Sequence, residues 1–91
     1  MSKLIIMNTN DQKTLNKALQ METEILLMQD AVLFTNNKIE ANKKFDNHMI
    51  YALKSDVEKR GLKDRILEQV ILVDINEMVD LLFSGKTVIN M

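Results

Sequence analysis

Four apolar runs, KLIIM at 3–7, EILLM at 24–28, HMIYAL at 48–53 and VILVD at 70–74, are continuous where a half-exposed strand would alternate. Short continuous runs are the habit of strands covered on both faces, and such strands belong to parallel sheets. A weaker fifth run, KTVIN at 86–90, reads as an edge strand. Parallel neighbours cannot be joined by a tight turn, so each pair needs a crossover. The intervening sequence supplies helical periodicity for it.

Leu15, Ala18 and Leu19 fall at helical spacing after Thr9, Asn10 and Asp11, any of which can cap a helix. Ser55 and Glu58 have the spacing of a capping box, with Gly61 where a left-handed C-terminal residue is wanted, so a short helix is predicted over 56–60. Asp74 and Glu77 repeat the box before MVDLLF, a helix that ends at Ser84-Gly85. The polar stretch NNKIEANKKFDN at 36–47 is the one long connection, and no repeat is present. Strand and helix alternating in this order predict one domain over 1–91, a three-layer α/β/α fold on a mainly parallel sheet of four to five strands.

At 46% hydrophobic and 27% charged, the chain has enough apolar area to offset chain entropy, so it is expected to fold. With 91 residues its own core is small. There is no cysteine, which excludes disulfides, thiolate metal sites, Cys nucleophiles and persulfide carriage by this chain acting alone. The apolar run near the N-terminus is too short for a signal peptide, and no segment approaches the ~18 apolar residues that span a bilayer. The expected setting is the cytoplasm, without membrane contact.

Net charge is −1, although eight of twelve Lys and Arg lie between Lys38 and Arg65 beside five acids, while the part from Ile66 onward holds four acids and one lysine. A nucleic-acid surface needs basic residues clustered on one face with interleaved aromatics, so solvated helix faces account for this asymmetry, and no direct nucleic-acid binding is expected.

In a parallel sheet the carboxyl ends of the strands share one edge, where such folds bind ligands. Asn8, Gln29, Asp30, Lys54, Ser55 and Asp74 should all lie there. The first five form a candidate strand-end site or subunit contact. Asp30, Ser55 and Asp74 each stand directly before a helix and are also explained as N-caps. His48, the only histidine, has no second ligand residue for a metal and reads as a strand-entry residue. The SGKT at 84–87 lacks the glycine and the preceding strand of a phosphate loop, since Asp80 stands where that glycine belongs. The YALKSD end of the third strand and the short chain argue against a receiver domain, which needs an aspartate ending that strand. The methionines sit in apolar runs and read as core filler. Neither a metal nor a cofactor is expected.

Three colinear segments, ILLMQDAV at 25–32, IYALKSDVEKRGL at 50–62 and ILVDINEMVDLLFSGKTVIN at 71–90, resemble the DsrH/TusB family of sulfur-relay proteins. In that family a strand ends L-L-x-Q/E-D-G/A-V, a segment reads Y-A-L-x-x-D-x-x-x-R-G-L, and a closing helix follows V/I-D. The resemblance implies a DsrE-like fold and a place in a heteromeric complex with two related subunits, TusC/TusD-like or DsrF/DsrE-like. Such complexes pass persulfide sulfur toward tRNA wobble-uridine thiolation or in sulfur oxidation. Members that carry sulfur place a cysteine in the first helix, where this chain has Ala18, so it resembles the non-carrier kind. The family's terminal tryptophan is also absent, the chain ending INM. A stand-alone homo-oligomer that binds a small ligand on the same fold is the rival. Because apolar residues are plentiful around the last helix and strand, Phe83 and Ile89 are candidate interface residues and self-association is an expectation.

Overall fold

A computed structural model of the chain describes residues 3–21, 23–36, 48–66 and 69–91. Five strands, β1 (Lys3–Met7), β2 (Glu24–Leu27), β3 (Ile50–Leu53), β4 (Val70–Val73) and β5 (Thr87–Asn90), form one sheet in the order β4-β3-β2-β1-β5. Every neighbouring pair is parallel. The expected strands are all present, KTVIN supplying an edge strand.

Helix α1 (Gln12–Gln20), a 3-10 helix (Gln29–Thr35) and helix α2 (Lys54–Lys59) connect β1 through β4, and α3 (Ile75–Leu82) connects β4 to β5. Right-handed crossovers explain the layers. The chain steps from β1 to β4 in one direction, which stacks its first three connections on one face. It then returns across the whole sheet to β5, which puts α3 on the other. The long connection expected over 36–47 lies, from residue 37 onward, outside the described residues.

Alternation along each strand feeds two unequal cores. Ile5, Met7, Ile25, Leu27, Ile50 and Ala52 meet Leu15, Ala18 and Leu19 of α1, Val32 and Phe34 of the 3-10 helix, and Val57 of α2. On the opposite face the cluster has three buried members, Leu4, Leu26 and Val73, beneath a half-buried Met78, Leu81 and Leu82. No residue of α3 itself is buried. The first face is a finished interior; the α3 face is thinly covered.

The helix starts have distinct causes. Asp11 caps α1, its carboxylate accepting from the Lys13 amide at 3.2 Å and from the Thr14 hydroxyl at 3.1 Å. Asp74 caps α3 in a complete capping box, accepting from the Glu77 amide at 2.8 Å while Glu77 accepts from the Asp74 amide at 3.1 Å. Gly61 adopts φ +67, as its position after α2 required. Two cap expectations are overturned. Helix α2 begins at Lys54, directly on the end of β3, so its N-cap is Leu53 and Ser55 lies inside the first turn, capping nothing. Asp30 likewise sits inside the first turn of the 3-10 helix, whose N-cap is Met28 without a side-chain bond.

Candidate functional site

At the carboxyl edge of β2 the chain turns sharply. Gln29 is the one non-glycine residue with positive φ among the described residues, at +50. A left-handed L-residue costs about 1–2 kcal/mol, so something must hold it. The carboxylate of the buried Asp56 reaches from α2 and accepts the Gln29 amide at 2.8 Å. Arg60, one turn further along α2, donates to Asp30 at 2.9 Å and stands 3.8 Å from Asp56. The orphan amide of the 3-10 helix is therefore satisfied by an acid 27 positions away in sequence.

The residues in this clasp are the letters that carried the family resemblance. Gln29 and Asp30 belong to ILLMQDAV, and Asp56 and Arg60 to YALKSDVEKRGL. Gly61 and buried Leu62 complete the second segment by closing α2, the Leu62 amide donating to the Val57 carbonyl at 3.0 Å. The motif is thus a device that joins two strand ends. Sequence reasoning passed over Asp56 and Arg60; their fixed places in the motif were the available signal.

The remaining edge residues do not converge on one centre. Lys54 and Ser55, with Glu58, Asp74, Ile75 and Asn76, line an open cleft of about 440 Å³ between the start of α2 and the start of α3. Gln29 and Asp30 belong to the clasp, and Asn8 stands exposed just beyond β1. Among the described residues no group of three or more His, Cys, Asp or Glu could hold a metal ion. His48 lies two residues before β3, as a strand-entry residue should.

The α3 face carries the exposed apolar surface. Ile75 (59% exposed), Val79 and Phe83 (84% exposed) recur at a spacing of four and line one flank of the helix. Ile71 of β4 and Val88 of β5 are exposed beside it. On the other flank a groove of about 310 Å³ runs between α3 and the sheet, with Tyr51, Ile71, Val73 and Leu81 as its floor and Glu77 and Asp80 as its wall. Phe83 stands free in solvent, whereas Ile89 points to the other side and is half-buried against the larger core.

Near the amino end of this face, Glu24 pairs with Lys86 across the first strand and accepts a hydrogen bond from the Tyr51 hydroxyl at 3.2 Å. Burial, then the Glu24 charge and hydrogen bond, push the Tyr51 phenol above its ordinary value of 10.0, with Lys86 pulling the other way. Among the described residues no helix is long and apolar enough to cross a membrane.

Such a sheet, with helices on both faces, defines an α/β protein built on a five-stranded parallel sheet. Its fold matches the ychN protein of E. coli, with a TM-score of 0.80 over the full length of both chains at 15% identity. It matches a protein of unknown function from Methanobacterium thermoautotrophicum as well, with a TM-score of 0.83, full coverage of both and 13% identity. The DsrH like protein family model matches residues 7–88, and the chain belongs to the DsrH family. It is 34% identical over 76 residues to the TusB protein of Photorhabdus laumondii, spanning 78% of this chain and 77% of that one. Against the TusB protein of Pectobacterium atrosepticum the identity is 32% over 73 residues, with the same shares covered.

Proposed function

We propose that this chain is a non-catalytic subunit of a cytoplasmic sulfur-relay complex, of the kind that serves tRNA wobble-uridine 2-thiolation or sulfur oxidation. The observation that carries the reading is a DsrH-family chain without a single cysteine. A persulfide forms on a thiolate, so the sulfur must ride on a partner's cysteine. Ala18, where carriers of the family have their cysteine, is buried against the sheet and serves packing instead. The subunit's work is then to assemble and orient its partners, homologous relay subunits of the TusC/TusD or DsrF/DsrE kind. A thinly covered α3 face supports that role, because apolar surface left open on a small domain is surface suited to another subunit.

Purification of the tagged chain from its native host, followed by mass spectrometry, should recover two related subunits, at least one with a cysteine. Recovery of this chain alone would refute the assembly. Incubated by itself with a cysteine desulfurase and radiolabelled cysteine, it should acquire no label releasable by dithiothreitol, and stoichiometric labelling would refute the non-carrier role.

A second reading is a stand-alone homo-oligomer that holds a small ligand, with Lys54 as the cation of a cleft that Glu58 and Asp74 also line. Saturable phosphate or sulfate binding lost in Lys54→Ala, with no partner recovered, would favour it over the relay.

A further inference from the structure

The α3 face joins two properties that together restrict what can cover it. Its apolar stripe, Ile75, Val79 and Phe83, offers a partner greasy contact on one flank. Its charge is of one sign: Asp74, Glu77 and Asp80 lie on or at the start of the helix, and no basic residue occurs between Ile66 and Gly85. Lys86, just beyond, is already paired with Glu24. Asp80 in the groove wall has no partner in the described structure, and its neighbours on the floor, Tyr51 and Ile71, are an aromatic and an aliphatic surface over which the stem of a long cation can lie.

A second copy of this chain fits that surface badly. Placing α3 against α3 brings six carboxylates into one contact with no basic residue on either helix, and like charges at an interface select against a partner. Turning the copy so that its basic side meets the acids fails for the opposite reason. The described basic residues there, Lys54, Lys59, Lys63 and Arg65, are exposed, and the exposed large apolar residues of the described structure outside α3, Phe83, β4 and β5 are Met21 and Met49 alone. Where a described basic residue does stand beside exposed apolar surface, Lys54 against Ile75, it shares the cleft with Glu58 and Asp74.

We propose that the α3 face receives a different polypeptide, one that presents an apolar helical stripe bordered by Lys or Arg, with a cation entering the groove beside Asp80. This rests on the relay-subunit reading for the existence of a partner, and adds the partner's chemistry and the exclusion of self-pairing through α3.

Two helical peptides with the same Leu stripe, one bordered by Lys and Arg and the other by Glu, test it against the intact chain by fluorescence anisotropy. The basic peptide should bind roughly tenfold more tightly at low salt, and the difference should shrink as salt screens the pair. Phe83→Ser should weaken the basic peptide, and Asp80→Lys should narrow or reverse the preference while circular dichroism stays unchanged. Equal affinities, binding of neither peptide, or a preference unmoved by Asp80→Lys would overturn the proposal. So would sedimentation showing a homodimer that Phe83→Ser dissociates. If relay subunits fail to co-purify while the basic peptide still binds selectively, the relay reading fails and this one stands; if they co-purify and both peptides bind alike, the reverse holds.

Discussion

Removing the Asp56 carboxylate should destabilise this protein more than removing any other surface-edge acid. In Asp56→Ala the Gln29 amide loses its acceptor at 2.8 Å, in a turn already strained by φ +50. A hydrogen bond from a backbone amide to a buried carboxylate contributes ~1.5–3 kcal/mol. The Arg60 contact, at 3.8 Å and part-exposed, adds at most ~0.5 kcal/mol. The expected loss is therefore about 2–3 kcal/mol, a large share of the ~5–14 kcal/mol that 91 residues ordinarily provide. In urea, with a slope of about 1–1.5 kcal/mol per molar, the midpoint followed by far-ultraviolet circular dichroism should fall by roughly 1.3–3 M. Asp56→Asn keeps an acceptor oxygen without the charge and should lose about half as much. Asp30→Ala, which breaks an ion pair whose carboxylate is 64% exposed, should lose less than ~1 kcal/mol. Equal losses in Asp56→Ala and Asp30→Ala, or a loss below ~0.5 kcal/mol in the former, would mean that water satisfies Gln29 and that the clasp does not hold the turn.

Tyr51 is the only tyrosine, so an ultraviolet titration reads it alone, and its ionisation should lie above 10.0 in the folded chain. The unfolded chain then ionises first: the stability due to the neutral phenol is complete below pH 10.0 and is lost as pH rises through the folded value. Tyr51→Phe should flatten that loss, and a folded titration at or below 10.0 would contradict the environment described. Asp74→Ala should cost ~1 kcal/mol by opening the capping box, whereas Ser55→Ala should stay within ~0.5 kcal/mol; denaturation midpoints that rank the two the other way would restore Ser55 as a cap.

The parallel sheet was readable because burial on both faces leaves a simple mark, runs such as EILLM with no polar interruption. Caps at Asp11 and Asp74 were readable because donor and acceptor lie within one turn of each other. Asp30 and Ser55 were misassigned for a related reason: local spacing cannot reveal that a helix starts on the last residue of a strand, nor that the amide at Gln29 is served by Asp56 from another element. Of the edge residues, Lys54, Ser55 and Asp74 share a cleft, because they follow β3 and β4, which are neighbours in the sheet, whereas Asn8 follows β1. Phe83 and Ile89 were grouped by proximity in sequence. Their fates differ because a helix end and a strand present side chains to unrelated directions.

The pairing of β5 with β1 has a consequence for how the chain is made. Synthesis produces the first strand early and the last one late, and Lys3 to Ile6 stay without their β5 neighbour until residues 87–90 have cleared the ribosome. During that interval Leu4 and Ile5 belong to an open strand edge, the geometry that recruits foreign strands. Any delay in the docking of residues 87–90 lengthens that exposure, so substitutions that slow the pairing of β5 with β1 should lower the yield of folded protein.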